Sequence, residues 1–481
     1  MLRKLASRLC TLGTLEACEV FLDVLDYTSI TSPSVAKYGL TAIANCTSSE
    51  EARLKLMQLG AGEFIVHMLK TFGEDHFSVA QYGIIAITNL TSNTDIRNSL
   101  GGLNACQLIV QMLRLHAFKE EAPVAVYGLY AIGKLSLNHD LNRQRFGASG
   151  GCEQVVEVLK RLGASNHTIT DYGMYALAHL AYFNLENKKR LSNPETYRII
   201  MELLKVHGKE QISIASFGLT AVSNLIHTEA SKDKFGALGM CELVQELGMH
   251  YKMKPEALAN NVVFTIGKLT HKHAENSKLL ARQSVPLIVE ALQSYGVEKI
   301  TQAGNGLFAL GALIQHSNVA LEKIVNVEVV ELLVSLLSAH AVEDASVAVY
   351  GINILEAIVT HAVNKGDAIY SFLLKSLITQ KIGALLCHIM SVYSYNEMNC
   401  NVEILGRAVY LLYFLSVKTH PSGEKLASAT GKSDYGVVEL KQQLVAAGGV
   451  YLLQHAILDN VTVMDRVPND QAQAILNVLV K

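Results

Sequence analysis

Apolar and polar positions along this 481-residue chain fall into a nine-residue phrase that returns eight times. It reads YGLTAIANC from Tyr38, YGIIAITNL from Tyr82, YGLYAIGKL from Tyr127 and YGMYALAHL from Tyr172. It continues as FGLTAVSNL from Phe217, NVVFTIGKL from Asn261, NGLFALGAL from Asn305 and YGINILEAI from Tyr350. The starts lie 44, 45, 45, 45, 44, 44 and 45 residues apart. A fixed period in the forties predicts a helical solenoid, in which each unit buries its apolar face only against its neighbours.

The unit that opens near Thr94 predicts three helices. Asp95–Leu100 is a short first helix, and Gly101-Gly102 makes the turn. Ala105–Leu115 is a second helix, with Leu108, Ile109, Met112 and Leu113 on one apolar stripe. A polar loop from His116 to Glu121 leads to Pro123, in the first turn of the third helix, which carries the phrase. The glycine at phrase position 2 costs about 1 kcal/mol in a helix relative to alanine, so its recurrence predicts close approach of a neighbouring helix. Positions 1, 4 and 8 share the opposite side, spaced i, i+3, i+7.

After Tyr350 the spacing fails. RAVYLLYFL from Arg407 arrives 57 residues later and QAQAILNVL from Gln471 after 64 more. We therefore expect regular repeats over 1–361 and degenerate, extended repeats over 362–481. Residues 362–400 should be a longer helical region that includes Ile382–Val392, and the polar stretch 417–436 a mobile loop. GKS at 431–433 is not a phosphate-binding loop, since Leu426 stands where that motif needs glycine. The chain opens in a first helix and stops in a third, either as weak caps or as a module of a longer protein. The basic start, MLRKLASRLC, keeps repeat register and is expected to be repeat rather than targeting leader.

A glycine turn, an apolar second helix and a third helix ending in A-(I/L/V)-x-N-L resemble the armadillo repeat. LGAGEFIVHMLK (59–70), ASGGCEQVVEVLK (148–160) and ALGMCELVQEL (237–247) look like its second-helix segment. The resemblance implies an all-α, right-handed α-solenoid of about ten three-helix repeats, with the last two irregular. It also implies a concave groove lined by third helices, where an asparagine at position 8 holds the main chain of a peptide. The matching residues here are Asn45, Asn89 and Asn224; Lys134, His179, Lys268, Ala312 and Ala357 depart from the pattern. The variable position 4 adds Tyr130, Tyr175, Phe264 and Phe308, read either as groove or as inter-repeat core. The nearly invariant aromatic at position 1 reads as stacking between repeats. Tryptophan is absent, which argues against a nuclear import adaptor.

Charge changes the picture little. Lys+Arg (41) and Asp+Glu (43) nearly balance, so no basic excess draws the chain to nucleic acid. Mean hydropathy is +0.25, which buried inner helices explain without a membrane span. Cys18, Cys106, Cys152 and Cys241 share one repeat slot and Cys46 takes the place of a core leucine, which fits a reducing compartment, cytoplasm or nucleus. His116, His207, His250 and His340 likewise recur at one loop slot. No metal-ligand, cofactor or catalytic motif appears, and no enzyme is expected.

These observations predict a non-enzymatic scaffold that binds an extended or helical segment of a partner protein, with an acidic or phosphorylated stretch favoured by Lys134, His179 and Lys268. The alternative is a regulatory armadillo module of a larger signalling protein, acting on a small GTPase or kinase domain.

Overall fold

The computed structural model describes residues 22, 30–119, 122–365, 367–394, 402–417, 440 and 442–449. The loop expected at 417–436 falls, past Val417, outside the described residues, as do the basic start and the phrase from Gln471. Every described element is a helix, and the chain forms two compact units, Met1–Met240 and Cys241–Lys481.

In the first unit the phrase-bearing third helices are α1 (Pro33–Asn45), α4 (Phe77–Leu90), α7 (Pro123–Ser136), α10 (His167–Ala181) and α13 (Ile212–Leu225). Short first helices follow each: α2 (Glu50–Gln58), α5 (Thr94–Gly102), α8 (Asp140–Ala148), α11 (Leu185–Leu191) and α14 (Glu229–Ala237). Second helices are α3 (Ala61–Phe72), α6 (Ala105–His116), α9 (Gly151–Val158, running into a π turn over Leu159–Gly163) and α12 (Pro194–His207). Starts are locally encoded. The Asn93 side chain accepts from Ile96 N at 3.0 Å, and Pro123 opens α7 where its missing N–H costs nothing.

Consecutive third helices pack side by side, and each second helix packs on the third helix of its own repeat. Leu40, Ile43, Ile84, Ile87, Leu129 and Ile132 are fully buried between them. Burial of each such side chain contributes roughly 1.5–3 kcal/mol. The position-2 glycine does what its recurrence predicts: a Cβ on Gly83 would lie 2.5 Å from Leu69 Cδ2, and one on Gly218 2.5 Å from Leu204 Cδ2. The turn before α6 is shifted from the expected Gly101-Gly102. Asn104 makes it in the left-handed region (φ 70°), as Gly60, Gly150 and Gly239 do in their repeats. Gly101 instead sits inside α5, where a Cβ would meet Asn142 Oδ1 of the next first helix.

Three of the recurring loop histidines tie their repeat to the one before. His116 Nε2 donates to the Gly73 carbonyl at 2.8 Å and His207 Nε2 to that of Gly163 at 3.1 Å. In the second unit His340 Nε2 does the same to Gly296 at 3.0 Å.

The second unit opens with α15 (Met240–His250) and holds third helices α16 (Glu256–Thr270), α18 (Ile300–Ile314), α21 (Ala345–Lys365) and α24 (Val402–Val417). Between the first two lies α17 (Ala274–Ala291), a fusion of first and second helices that carries Pro286 inside it. Gln283 occupies the slot held elsewhere by a left-handed glycine, so nothing breaks the helix there. The remaining helices are α19 (Asn318–Ile324), α20 (Val327–His340), α22 (Asp367–Thr379) and α23 (Ile382–Ser394). Helix α21 spans 21 residues and is apolar enough to cross a membrane by length and composition. Its apolar face is spent on packing against α18, α20, α22 and α24.

Candidate functional site

Positions 4 and 8 of the phrase, buried Ala312 apart, lie half-buried or exposed on the third helices, and each unit presents its own set. In the first unit the rings form a ladder. Tyr130 stacks on Tyr172 of the next repeat at 4.4 Å, and Tyr175 meets Phe217 of the repeat after at 4.9 Å, edge to face. Tyr175 also packs on His179 at 4.5 Å and lies 5.8 Å from Tyr130. Position 4 of one repeat thus rests on position 1 of the next, so these rings join repeats while keeping an edge in solvent.

Position 8 does a job that the alternation of Asn and Lys had concealed. Asn89 Nδ2 donates to the Ala44 carbonyl (3.2 Å), Lys134 Nζ to that of Thr88 (3.0 Å) and Asn224 Nδ2 to that of Ala178 (3.0 Å). Each acceptor lies near the C-terminal end of the preceding third helix, where carbonyls lack intrahelical partners. Asparagine and lysine are interchangeable here as donors. Asn45 is exposed on α1. His179 packs on Tyr175 instead of following the donor pattern.

Three arginines and a lysine on the first helices complete the surface. Arg53, Arg97, Arg143 and Lys188 hold one slot in successive repeats, each three residues before a buried or part-buried apolar side chain (Leu56, Leu100, Phe146, Leu191). Arg53 Nη1 donates to the Thr47 carbonyl at 2.7 Å and Arg143 Nη1 to that of Ser136 at 2.9 Å. Ser136 is the last residue of α7 and Thr47 lies two residues past the end of α1, and a cation suits that end of the helix dipole. Arg97 and Arg143 are only 8% and 4% exposed, and the Nε of each is buried without a partner. Of the five cations Arg53, Arg97, Lys134, Arg143 and Lys188, only Arg143 meets a carboxylate among the described residues, that of Asp140.

The local field is accordingly positive. Burial, with Arg53 and Arg97 nearby, holds the Lys134 ammonium below the usual lysine range. Burial and then Arg143 push His179 down to about 4. His139 is lowered by burial and by Arg97, Arg145 and Arg143. Burial and the neighbouring Tyr130 raise the Tyr175 phenol to about 12, against the opposing pull of Arg97.

The second unit differs in character. Phe264 and Phe308 lie 6.3 Å apart, and Phe308 contacts His271 at 5.5 Å and Tyr350 at 5.6 Å. Phe308, Tyr350, Asn353, Glu356 and Arg407 line a cavity of about 570 Å³. Arg407 is paired there with Glu356 at 3.4 Å and Glu403 at 2.8 Å. Lys268 lies part-buried on α16. Ser277 takes the slot of the arginines and donates to the Thr270 carbonyl at 3.2 Å, so the same helix end is satisfied without charge. Among the described residues no three His, Cys, Asp or Glu side chains gather at metal-ligand spacing.

Sequence reasoning found the rings and Lys134 but missed the first-helix cations. Their signal is a basic residue three positions before an apolar one at spacings of 44, 46 and 45. It also missed Gly133 and Gly267, whose signal is the shared string IGKL followed one repeat later by an aromatic at position 4.

No family model matches the chain, and no curated protein matches it in sequence. Solved structures do match in fold. An engineered protein shares 16% identity over 96% of this chain and 99% of its own, with a TM-score of 0.67. A structure from work on a phosphorylation switch controlling the interaction between cadherin and beta-catenin shares 13% identity over the full length of both chains, with a TM-score of 0.59. A designed armadillo repeat protein shares 16% identity over 52% of this chain and 99% of its own, with a TM-score of 0.44. The three-helix repeats and the first two of these likenesses define an α-solenoid of the armadillo-repeat fold.

Proposed function

We propose that the chain is a protein-interaction scaffold whose first unit binds an acidic segment of a partner protein along its third helices. The observation that carries this reading is the row of five cations, four of them without a carboxylate among the described residues, beside half-exposed rings of Tyr130, Tyr172 and Tyr175. Rings supply apolar contact area with a polar tip, and uncompensated cations select and steer an anionic ligand. Asn45, Asn89, Tyr130, Lys134, Tyr175, His179 and Asn224 are the proposed contacts in the first unit. In the second unit Phe264, Lys268 and Phe308 are proposed to extend the site. Five free, buried cysteines support a reducing compartment, the cytoplasm or nucleus.

The test is fluorescence anisotropy with labelled octaglutamate and octalysine peptides at low salt. Octaglutamate should bind and octalysine should not, and added salt should weaken binding as surface charges are screened. Lys134→Glu with Lys188→Glu should abolish it. Binding unchanged in that double variant would remove the row from the reading.

A further inference from the structure

The loop between α10 and α11 places Phe183 in the left-handed backbone region (φ 45°) with 80% of its surface exposed. That region strains a bulky residue, whereas asparagine tolerates it. The same slot is left-handed at Asn138 (φ 50°) and Lys272 (φ 53°), so the turn belongs to the repeat and the exposed ring is what sets Phe183 apart. The loop is held firmly. The Asn184 side chain accepts from Asn187 N at 2.9 Å, while Asn187 Nδ2 donates to the carbonyls of Leu180 (3.0 Å) and Arg143 (2.9 Å). A strained ring that is fixed and faces outward contributes nothing to the core, and such outliers cluster at binding surfaces.

Its surroundings specify the ligand. Tyr182 meets Phe183 edge to face at 4.6 Å, and Leu185, 57% exposed, follows at the start of α11. The Arg143 guanidinium lies 5.7 Å from the centre of the Tyr182 ring. Lys188, one turn beyond Leu185, has no carboxylate partner among the described residues. The patch is linked to the groove through the charge of Arg143. Arg143 acts on His179, which packs on Tyr175 at 4.5 Å.

We propose that Tyr182, Phe183 and Leu185 form an apolar anchor site at the edge of the cationic row. The ligand of the first unit is then a peptide segment in which apolar side chains adjoin a run of acidic residues. This inference rests on the acidic-ligand reading above and adds a specificity determinant to it. Rigid, exposed aromatics lose little entropy on binding and supply the desolvated contact that a charge row lacks.

The experiment compares two labelled peptides, octaglutamate and the same peptide headed by Leu-Phe, on the full chain and its Phe183→Asn variant. Wild type should bind the headed peptide roughly tenfold or more tightly, the effect of burying one or two apolar side chains. Phe183→Asn should erase that preference, leave octaglutamate binding unchanged and unfold at no lower temperature than wild type. Equal affinity of wild type for both peptides, or a preference retained by the variant, would overturn the anchor and leave the acidic reading standing. Failure of wild type to bind octaglutamate would overturn both.

Discussion

The Tyr175 ring lies over Gly133 of the preceding repeat, where a Cβ would stand 2.2 Å from Cδ1 and 2.4 Å from Cε1. Phe308 and Gly267 repeat the arrangement in the second unit, with both ring atoms 2.7 Å from that Cβ position. The glycine at phrase position 7 and the aromatic at position 4 one repeat later are therefore a packing pair. Gly133→Ala gains about 1 kcal/mol of helix propensity, yet the displaced ring costs about 1–3 kcal/mol. We predict a net loss of stability in urea unfolding in the wild-type background, and a gain when Gly133→Ala is added to Tyr175→Thr and compared with that single variant, Thr being the position-4 residue at Thr41 and Thr220.

His116 reaches the buried Gly73 carbonyl across a repeat boundary. Removing the donor leaves that carbonyl without a partner, at a cost of about 1–3 kcal/mol beyond lost packing. His116→Ala should lower the urea midpoint accordingly. His116→Gln, which restores an N–H donor, should recover part of the loss, and equal loss in both variants would show that packing alone is at stake.

Stability should fall as pH drops below the ordinary histidine range. Burial and Arg143 hold folded His179 to about 4, while the unfolded residue takes up its proton near 6.5. Between those values the unfolded state binds more protons, so stability declines with falling pH, by at most about 1.4 kcal/mol per unit. Thermal unfolding at pH 7.5 and pH 5 should show the slope. His179→Gln should flatten it, with the remainder assigned to His139, lowered by burial and by Arg97, Arg145 and Arg143.

The thiols should be silent in the folded chain. Burial raises Cys106, Cys152 and Cys241 to about 12 and Cys387 to about 11, far above the range where thiolate forms at neutral pH. Alkylation followed by mass spectrometry at pH 8 should label these four only as fast as their unit opens. Rapid labelling under native conditions would show that they are not buried in solution.

The repeat length, the three-helix unit, the Pro123 start and the role of the position-2 glycine were legible in the sequence, because each follows from contacts within one repeat or between identical slots. Helix boundaries moved by a residue or two, as at Asn104, where a left-handed asparagine stands in for the glycine of its sister repeats. The merger of first and second helices in α17 was not anticipated, although Gln283 in that glycine's slot is its signal in the sequence.

What the tertiary structure alone decided is where the polar side chains spend their hydrogen bonds. Asn89, Lys134 and Asn224 reach carbonyls 45 or 46 residues earlier in the chain, and Arg53 and Arg143 reach carbonyls at or just past third-helix ends six or seven residues earlier. A periodic pattern reports which side of a helix is apolar. It does not report which backbone groups the fold leaves unsatisfied, because those appear only when one helix end is laid against the next repeat. The cationic row and the strained Phe183 come from that second layer of constraint, and for that reason the reading proposed from them needed the folded chain.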